Sequence, residues 1–569
     1  MTEVTRAAGD TPAGPPGDRP PAARLATAAL LIAVLTVLAR LAGFGRTLVF
    51  VQLVGDRDLG TVYQSANTVP NIIFEIVAGG ALASLVVPML AGAVARGDRV
   101  AVGATVSALL TWVLSVLIPV AVVVAVAATP IVALLDPHAD DRTVAAGADM
   151  LRVFAPQLPL YGLGIVLTGV LQAYRRFAWP VLAPLLSSLT VIVAYLTFGV
   201  VAAGRKEVAQ VGHGGVLVLS VGTTLGVVVL SLCLLIPLRR LGLTLRPGYR
   251  FGGGSARQVR RLAVAGAVTV AAQQLTVGLT LILSNHGPVG TLVLFTLAQT
   301  VYLLPWAVLA LPIATSAYPS LAEAAARDDR VTFAATLAGA TRGLVLLGCL
   351  GAAGLAALGT PLAWVLARST ASPAHVAAGI AGLAPGLLGY ALFALLSRAL
   401  YARGDTRLAA AATVVGWGGV ALASVALSAA LPRVDRVAAL ALANSAGMLV
   451  LGGVLLVLVA RRAGRAALDG LTRTLSVGLV AGLLAAGAGA GVVRMATAGG
   501  RAALSGGAPP GIGAALLQGM LSGVVVVAVF VGVGYALDRR DVRPLIAGLV
   551  RRAAGRRGDD AGPTHGRST

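Results

Sequence analysis

The sequence predicts an all-α polytopic membrane protein with about fourteen transmembrane helices, arranged as two six-helix lobes related by a parallel duplication plus a C-terminal helix pair. Three observations carry that expectation. Apolar runs recur from Leu25 to Leu537, each long enough to cross roughly 30 Å of hydrocarbon. Basic residues gather in alternate connecting segments, the asymmetry that sets orientation in a bilayer. A string of residues in the first half of the chain returns at a fixed offset in the second.

Composition excludes the soluble classes. Mean hydropathy is +0.89, with 57% hydrophobic and 12% charged residues in 569; a soluble chain of this length divides into several cores and is about 25% charged. The net charge of +22 invites a nucleic-acid reading until the charges are located. They form no single stripe, so no nucleic-acid partner is expected. Cys233 and Cys349 both fall in apolar segments and read as core thiols. His138, His213, His286, His375 and His565 show no ligand spacing, so neither metal nor cofactor is expected.

Along the chain, residues 1–24 are rich in Pro, Gly and Ala and predict a disordered cytoplasmic tail. The apolar stretch that follows is no cleavable signal, since it contains Arg40 and Arg46 and many further spans succeed it. Helices are expected at 25–54, 60–95, 100–135, 144–173, 178–203 and 213–238, then at 257–285, 289–325, 331–367, 374–402, 406–431 and 436–460, and finally at 471–495 and 511–537. With the N-terminus in the cytoplasm, the Arg-bearing segments around 96–99, 175–176, 239–261, 327–330, 403–407, 461–473 and 539–567 share that side. The loops DPHADDR, SNHGPVG and SGGAPPG fall on the other. The expected organisation is an N-lobe at 25–238, a cytoplasmic Arg-rich linker at 239–256, a C-lobe at 257–460, a helix pair at 461–537 and a basic cytoplasmic tail at 538–569.

The duplication is visible by eye. PMLAGAVARGDRV (88–100) matches PSLAEAAARDDRV (319–331), and TPIVALL (129–135) matches TPLAWVL (360–366) at the same offset of 231. YGLGIVLTGVLQAY (161–174) pairs with YALFALLSRALYAR (390–403) at 229. The shift is six helices, an even number, so the halves share one orientation and are related by an axis along the membrane normal.

Charges inside spans cost about 2.5–3.5 kcal/mol each on insertion scales and mark function first. Arg40 and Arg46 lie mid-span in LARLAGFGRTLVF, with Arg40 roughly 20 Å from either end at 1.5 Å per residue. Gly43 and Gly45 between them allow a bend or a close backbone approach. Glu75 is the only carboxylate well inside any span, at a similar depth. Arg40 and Glu75 are therefore expected to be close, leaving Arg46 to bind an anion; the alternative is an Arg–Glu pair that only locks helices 1 and 2 together. Arg342, three turns into helix 9, is a candidate to face a central cavity, whereas Arg152 and Arg398 lie near span ends and snorkel. Pro70, Pro88, Pro156, Pro159, Pro305, Pro312 and Pro319 interrupt helices 2, 4 and 8. Asn67, Asn71, Gln157, Gln172, Gln273, Gln274 and Gln299 offer contacts to a sugar or peptide headgroup, or serve as interhelical glue. The sole lysine, Lys206, precedes Glu207, which rules out a Walker A site. A metal-dependent glycosyltransferase would need acidic loop clusters, and near the spans only Asp140-Asp141 and Asp328-Asp329 are doublets.

At the level of motifs, ARLAGFGRTLVFVQLVG followed by ANTVPNIIFEIVAGGALASLVVPML resembles the first two helices of the MurJ/MviN family of lipid II flippases. The similarity continues through FAPQLPLYGLGIVLTGVLQAYRRFAWPVLAPLLSSL, LLPWAVLALPIATSAYPSLAEAAA and RALYARGDTRLAAA, covering roughly residues 25–465 in order. That family sits in the multidrug/oligosaccharidyl-lipid/polysaccharide exporter superfamily. The resemblance implies translocation of undecaprenyl-pyrophosphate-linked peptidoglycan precursor to the outer face of the inner (plasma) membrane by alternating access, without covalent chemistry. It implies a lipid-linked anionic substrate, cell-wall synthesis proteins as partners and a monomeric chain, in an actinobacterial-type branch. Arg40 and Arg46 occupy the motif positions of the family's cavity arginines. Elsewhere the sequence departs: Phe74-Glu75 replaces the arginine expected after VPN, the helix 8 arginine falls at Thr300 or its neighbours, and helix 7 lacks the acid of the sodium site found in some members. The expected substrate-binding set is Arg40, Arg46, Glu75, Asn71 and Arg342. The rivals are an exporter of another polyprenyl-linked glycan, a drug or cation antiporter of the same superfamily, for which Glu75 is the one available acid, and a non-transporting membrane scaffold, which leaves Arg40 and Arg46 unexplained.

Overall fold

The computed structural model describes residues 21–76, 80–249, 256–370, 372–503 and 511–539, and among them every regular element is helical. The first expected lobe contains α1 (Pro21–Leu53), α2 (Asp58–Phe74), α3 (Gly80–Ala95), α4 (Arg99–Val126), α5 (Ala128–Leu135), α6 (Asp141–Phe154), α7 (Gln157–Ala173), α8 (Ala178–Ala202), α9 (Val208–Leu232) and α10 (Leu235–Arg239). The second contains α11 (Ala256–Asn285), α12 (Thr291–Pro305), α13 (Leu311–Ala326), α14 (Arg330–Leu366), α15 (Pro373–Leu383), α16 (Gly386–Ala402), α17 (Thr406–Ala430) and α18 (Arg436–Ala463), followed by α19 (Leu471–Ala503) and α20 (Ile512–Leu537). Among the described residues, twelve helices are long and apolar enough to cross a membrane; α15 and α16, bent by 46°, make a thirteenth if they form one span. The expected second span contains α2 and α3, on either side of residues 77–79. Those residues lie outside the described ones, as do 1–20 and 540–569 of the expected tails and 250–255 of the expected linker.

Several helices expected to be continuous are broken, and the causes are local. Pro156 lacks an N–H and crowds the preceding turn, so the expected 144–173 helix splits into α6 and α7. After Pro305 the chain takes a π-helical turn, Trp306–Ala310, before α13. A hinge at Ala127 divides the expected 100–135 helix. Pro70, Pro88 and Pro319, by contrast, sit within helices that continue past them.

The duplicated strings adopt duplicated geometry. Gly97 and Asp328, 231 apart, both take left-handed backbone angles, with φ of 70° and 51°. The next residues, Asp98 and Asp329, then cap α4 and α14, accepting from the amides of Ala101 and Thr332 at 2.9 and 3.0 Å. At the second offset, Pro156 and Pro385 break their helices at matched points, and a hydroxyl from a later helix repairs each break. Thr224 Oγ1 donates to the Val153 carbonyl at 2.9 Å, and Ser445 Oγ to the Gly382 carbonyl at 2.6 Å.

Packing follows the small residues. α8 lies against α1 and α9, while α18 lies against α16 and α17; α19 and α20 pack on α14. A Cβ on Gly389 would fall 2.0 Å from the Met448 carbonyl oxygen, and one on Gly447 would fall 2.4 Å from the Val420 nitrogen. These helices meet backbone to backbone, as small residues permit. The two halves join at the end that holds Asp56. There Asn285 Nδ2 donates to Ser65 Oγ and to the Leu135 carbonyl, both at 3.1 Å. The Gly290 amide donates to Thr61 Oγ1 at 3.1 Å, and Ser369 Oγ to the Val51 carbonyl at 3.1 Å. Buried Val54 and Leu59 share one apolar cluster with Val293, Leu294 and Leu366 across this seam. α11 packs on both α3 and α17, and so touches both halves.

Beyond α10 the chain runs extended along α4. The amides of Arg246 and Gly248 donate to Ser107 Oγ and Thr111 Oγ1 at 3.0 and 3.1 Å. The Tyr249 hydroxyl meets Ser115 Oγ at 2.8 Å, and Trp112 Nε1 donates to the Tyr249 carbonyl at 3.2 Å. Two residues of extended chain advance about 6.6 Å and four residues of helix about 6 Å, so alternate amides match hydroxyls spaced every fourth residue.

Two outcomes follow from this packing. Gly389→Ala overpacks a backbone contact and is expected to cost about 1–3 kcal/mol, read as a lowered thermal unfolding midpoint in detergent. Gly453→Ala, which meets nothing within 4 Å, serves as the control; equal midpoints would show that α16 and α18 separate freely. Second, the Thr332 amide, with its hydroxyl, holds the Asp329 carboxyl below its ordinary 3.8. The native value is depressed, so the cap's contribution is present above 3.8 and lost as pH falls through that lower value. Asp329→Ala should therefore lower the midpoint at neutral pH and flatten its acid dependence, and an unchanged acid limb would contradict the cap.

Candidate functional site

The candidate residues lie along α1 and one face of α2. Gln64, Thr68, Asn71 and Glu75 are spaced four, three and four apart, which places them on one side of a helix. On α1, Arg46 is half-buried and lies within electrostatic reach of Tyr63, Tyr161 and Tyr195, all in the first half. Arg40 is exposed and lies within reach of Tyr390 on α16, in the second half. Tyr161 and Tyr390 are 229 residues apart and start the two repeated strings. The duplication thus supplies one tyrosine to each arginine of α1.

The expected Arg40–Glu75 pair does not form: among the described residues no ion pair joins Glu75 to either arginine. α2 packs on α6 and α7, which carries its last turn toward Tyr161. Phe74 packs on that ring at 5.0 Å, and Glu75 lies within its electrostatic reach. Asn71 Nδ2 turns back along its own helix to the Asn67 carbonyl at 2.8 Å. Arg342 is placed elsewhere. Its guanidinium donates to the Asp469 carbonyl at 2.8 Å, beside Gly470, because its face of α14 is the one that packs on α19. Gln157 joins helices through Nε2 to Thr224 Oγ1 at 3.0 Å, and Arg152 is held by Asp149 at 2.8 Å and Thr129 at 3.1 Å.

Two cavities border these elements. One, of about 350 Å³, lies between α2 and the helices α11, α12, α16, α17 and α18. It is lined by the amides of Gln64, Gln273, Gln299 and Asn444, by hydroxyls including those of Thr68 and Thr296, and by Tyr302, Tyr390 and Trp417; no charged side chain lines it. Gln64 Nε2 reaches Thr296 Oγ1 across the cavity edge at 3.5 Å. Trp306 and Phe393 extend the aromatic wall, with ring centroids 4.9 and 6.0 Å from Tyr390. The other cavity, of about 510 Å³, opens at the Asp56 end beside Asp58, Asp136, Asp140 and Arg433, where His138 and His286 meet edge to face at 5.6 Å. Sequence reasoning named Gln273 and Gln299 but missed Gln64, Thr68 and Asn444. The available signal was the four-residue spacing of Gln64 and Thr68 on the helix that also bears Asn71 and Glu75.

Comparison with known proteins agrees with this architecture. A family model described as lipid II flippase MurJ matches residues 50–501. The lipid II flippase MurJ of Burkholderia cenocepacia is 26% identical over 394 residues, covering 67% of this chain and 74% of its own length. The probable lipid II flippase MurJ of Haemophilus influenzae is 24% identical, covering 66% and 75%. Among solved structures, a lipid II flippase MurJ in an inward closed conformation superposes with a TM-score of 0.69 at 16% identity, over 89% of this chain and 99% of that one. An inward-facing multidrug resistance MATE family transporter gives 0.60 at 14% identity, over 77% and 98%. The family model spans most of the chain, so this multi-span membrane protein belongs to the lipid II flippase MurJ family.

Proposed function

We propose that this chain carries lipid II, an undecaprenyl-pyrophosphate-linked peptidoglycan precursor, from the cytoplasmic to the outer face of the plasma membrane by alternating access. The observation that carries this reading is the placement of Arg40 and Arg46 on one helix, with a tyrosine from each half within their electrostatic reach. Two guanidiniums at membrane depth are costly unless paired, and neither has a carboxylate partner among the described residues. A pyrophosphate supplies the missing charge, and Arg is suited to its geometry. The polyprenyl tail stays in the bilayer while the headgroup crosses. No bond is made or broken, and the driving force is the membrane potential or an ion gradient acting on the substrate's charge. The distribution of arginines supports an orientation with both termini in the cytoplasm. That orientation puts the hydrogen-bonded Asp56 end outside.

A second reading, export of another polyprenyl-linked glycan, draws on Glu75, which stands where the resemblance implies an arginine and lowers the positive charge available to the substrate.

The test is complementation of a flippase-depleted strain, scored by lipid II at the outer face. Charge-assisted hydrogen bonds contribute about 1.5–3 kcal/mol each, so Arg40→Ala and Arg46→Ala should each lower outer-face lipid II by about ten- to a hundredfold. Normal growth with both variants would overturn the anion-binding assignment. Rescue by the wild-type chain of a strain lacking a different polyprenyl-glycan exporter, but not of the flippase-depleted strain, would favour the second reading.

A further inference from the structure

The uncharged cavity between α2 and the second half has polar groups that the protein leaves unused. Tyr302 is 3% exposed, yet its hydroxyl has no hydrogen-bond partner. Asn444, 7% exposed, lines the same space with Gln273 and Gln299. Burying a hydroxyl or amide without a bond costs about 1–3 kcal/mol by mutational measures, so such groups are met in native proteins by the protein, by ordered water or by a ligand. The Thr276, Thr280 and Thr296 side chains also line the cavity. The Thr276 and Thr280 hydroxyls donate to carbonyls of their own helix at 2.9 Å, which leaves their oxygens as acceptors. The wall therefore offers donors and acceptors together and no net charge.

We propose that this cavity is the subsite for one uncharged, hydroxyl-rich sugar ring of the glycan joined to the pyrophosphate. The inference rests on the flippase reading above and deepens it by assigning the glycan a place separate from the arginines. Three features fix the ligand class. First, the absence of charged lining excludes an ionised group, because an unpaired charge there would be left uncompensated. Second, about 350 Å³ falls within the range of small-ligand pockets, roughly 300–1,000 Å³. A bare cation held by six to eight oxygens at about 2.4 Å fills only a fraction of it. Third, Tyr302, Tyr390 and Trp417 line the cavity, and aromatic surface of this kind suits the C–H face of a pyranose while the amides take its hydroxyls. Tyr390 belongs both to this wall and to the surroundings of Arg40. A sugar attached to an anion at Arg40 thus has a neighbouring pocket to enter.

The test compares two lipids on purified protein in nanodiscs: undecaprenyl pyrophosphate, which lacks sugar, and lipid II. Gln299→Leu and Asn444→Leu should each weaken lipid II binding by about tenfold, about 1.4 kcal/mol, and leave undecaprenyl pyrophosphate binding unchanged. Equal effects on the two lipids, or no effect on either, would overturn the subsite. So would a loss that depends on sodium and ignores the sugar, which would make the cavity a cation site. Binding of the sugar-free lipid reports that the variant is folded. If a leucine variant binds neither lipid, Gln299→Asn is read by the same ratio, and a ratio equal to wild type overturns the proposal. Arg46→Ala separates the two readings: it should weaken both lipids alike, and if it weakens neither, the anion assignment fails while the sugar ratio is judged on its own.

Discussion

In hydrocarbon there is no water to donate a hydrogen bond to a broken helix, so each exposed carbonyl must find a partner within the protein or cost several kcal/mol. That requirement governs this molecule. Pro156 and Pro385 break two related helices, and hydroxyls from Thr224 and Ser445 meet the carbonyls exposed just before the breaks. The segments beyond those breaks are α7 and α16, which carry Tyr161 and Tyr390 toward the two arginines of α1. A solution to a backbone problem, used twice, thereby sets the position of the site's aromatic walls.

The division of labour within the site follows from dielectric cost. Charge is concentrated on α1, where Arg40 and Arg46 stand without carboxylate partners among the described residues. The neighbouring cavity has amides, hydroxyls and rings but no charge. A substrate with an anionic joint and a neutral glycan matches that separation. Glu75 lies within electrostatic reach of Tyr161, and among the described residues it makes no ion pair with either guanidinium.

The membrane architecture, the duplication and the in-span arginines were legible because they depend on local composition, on spacing or on repeated strings. The helix breaks were only partly legible. Pro156 and Pro70 look alike in sequence, yet one splits its span while the other is absorbed, and the hydroxyl that meets the carbonyl exposed at Pro156 comes from another helix. Arg342 shows the same limit. Its depth in α14 was readable, but the face it occupies depends on where α19 packs. The Arg40–Glu75 pair failed for a related reason, since equal depth says nothing about azimuth around the helix. Asn444 was invisible as a site residue because a lone amide in an apolar helix acquires meaning only from the five other helices around the cavity.

The extended segment laid along α4 is more than a connection. Its docking through Ser107, Thr111 and Ser115 fixes the chain as far as Tyr249, and α11 begins at Ala256. Seven peptide steps span at most about 25 Å, so while the segment stays docked the start of α11 lies within that reach of Tyr249. The halves can tilt against each other but cannot drift apart at that end. Any movement of one half against the other is then bounded at this end by that reach, and releasing the three hydroxyl contacts would extend it.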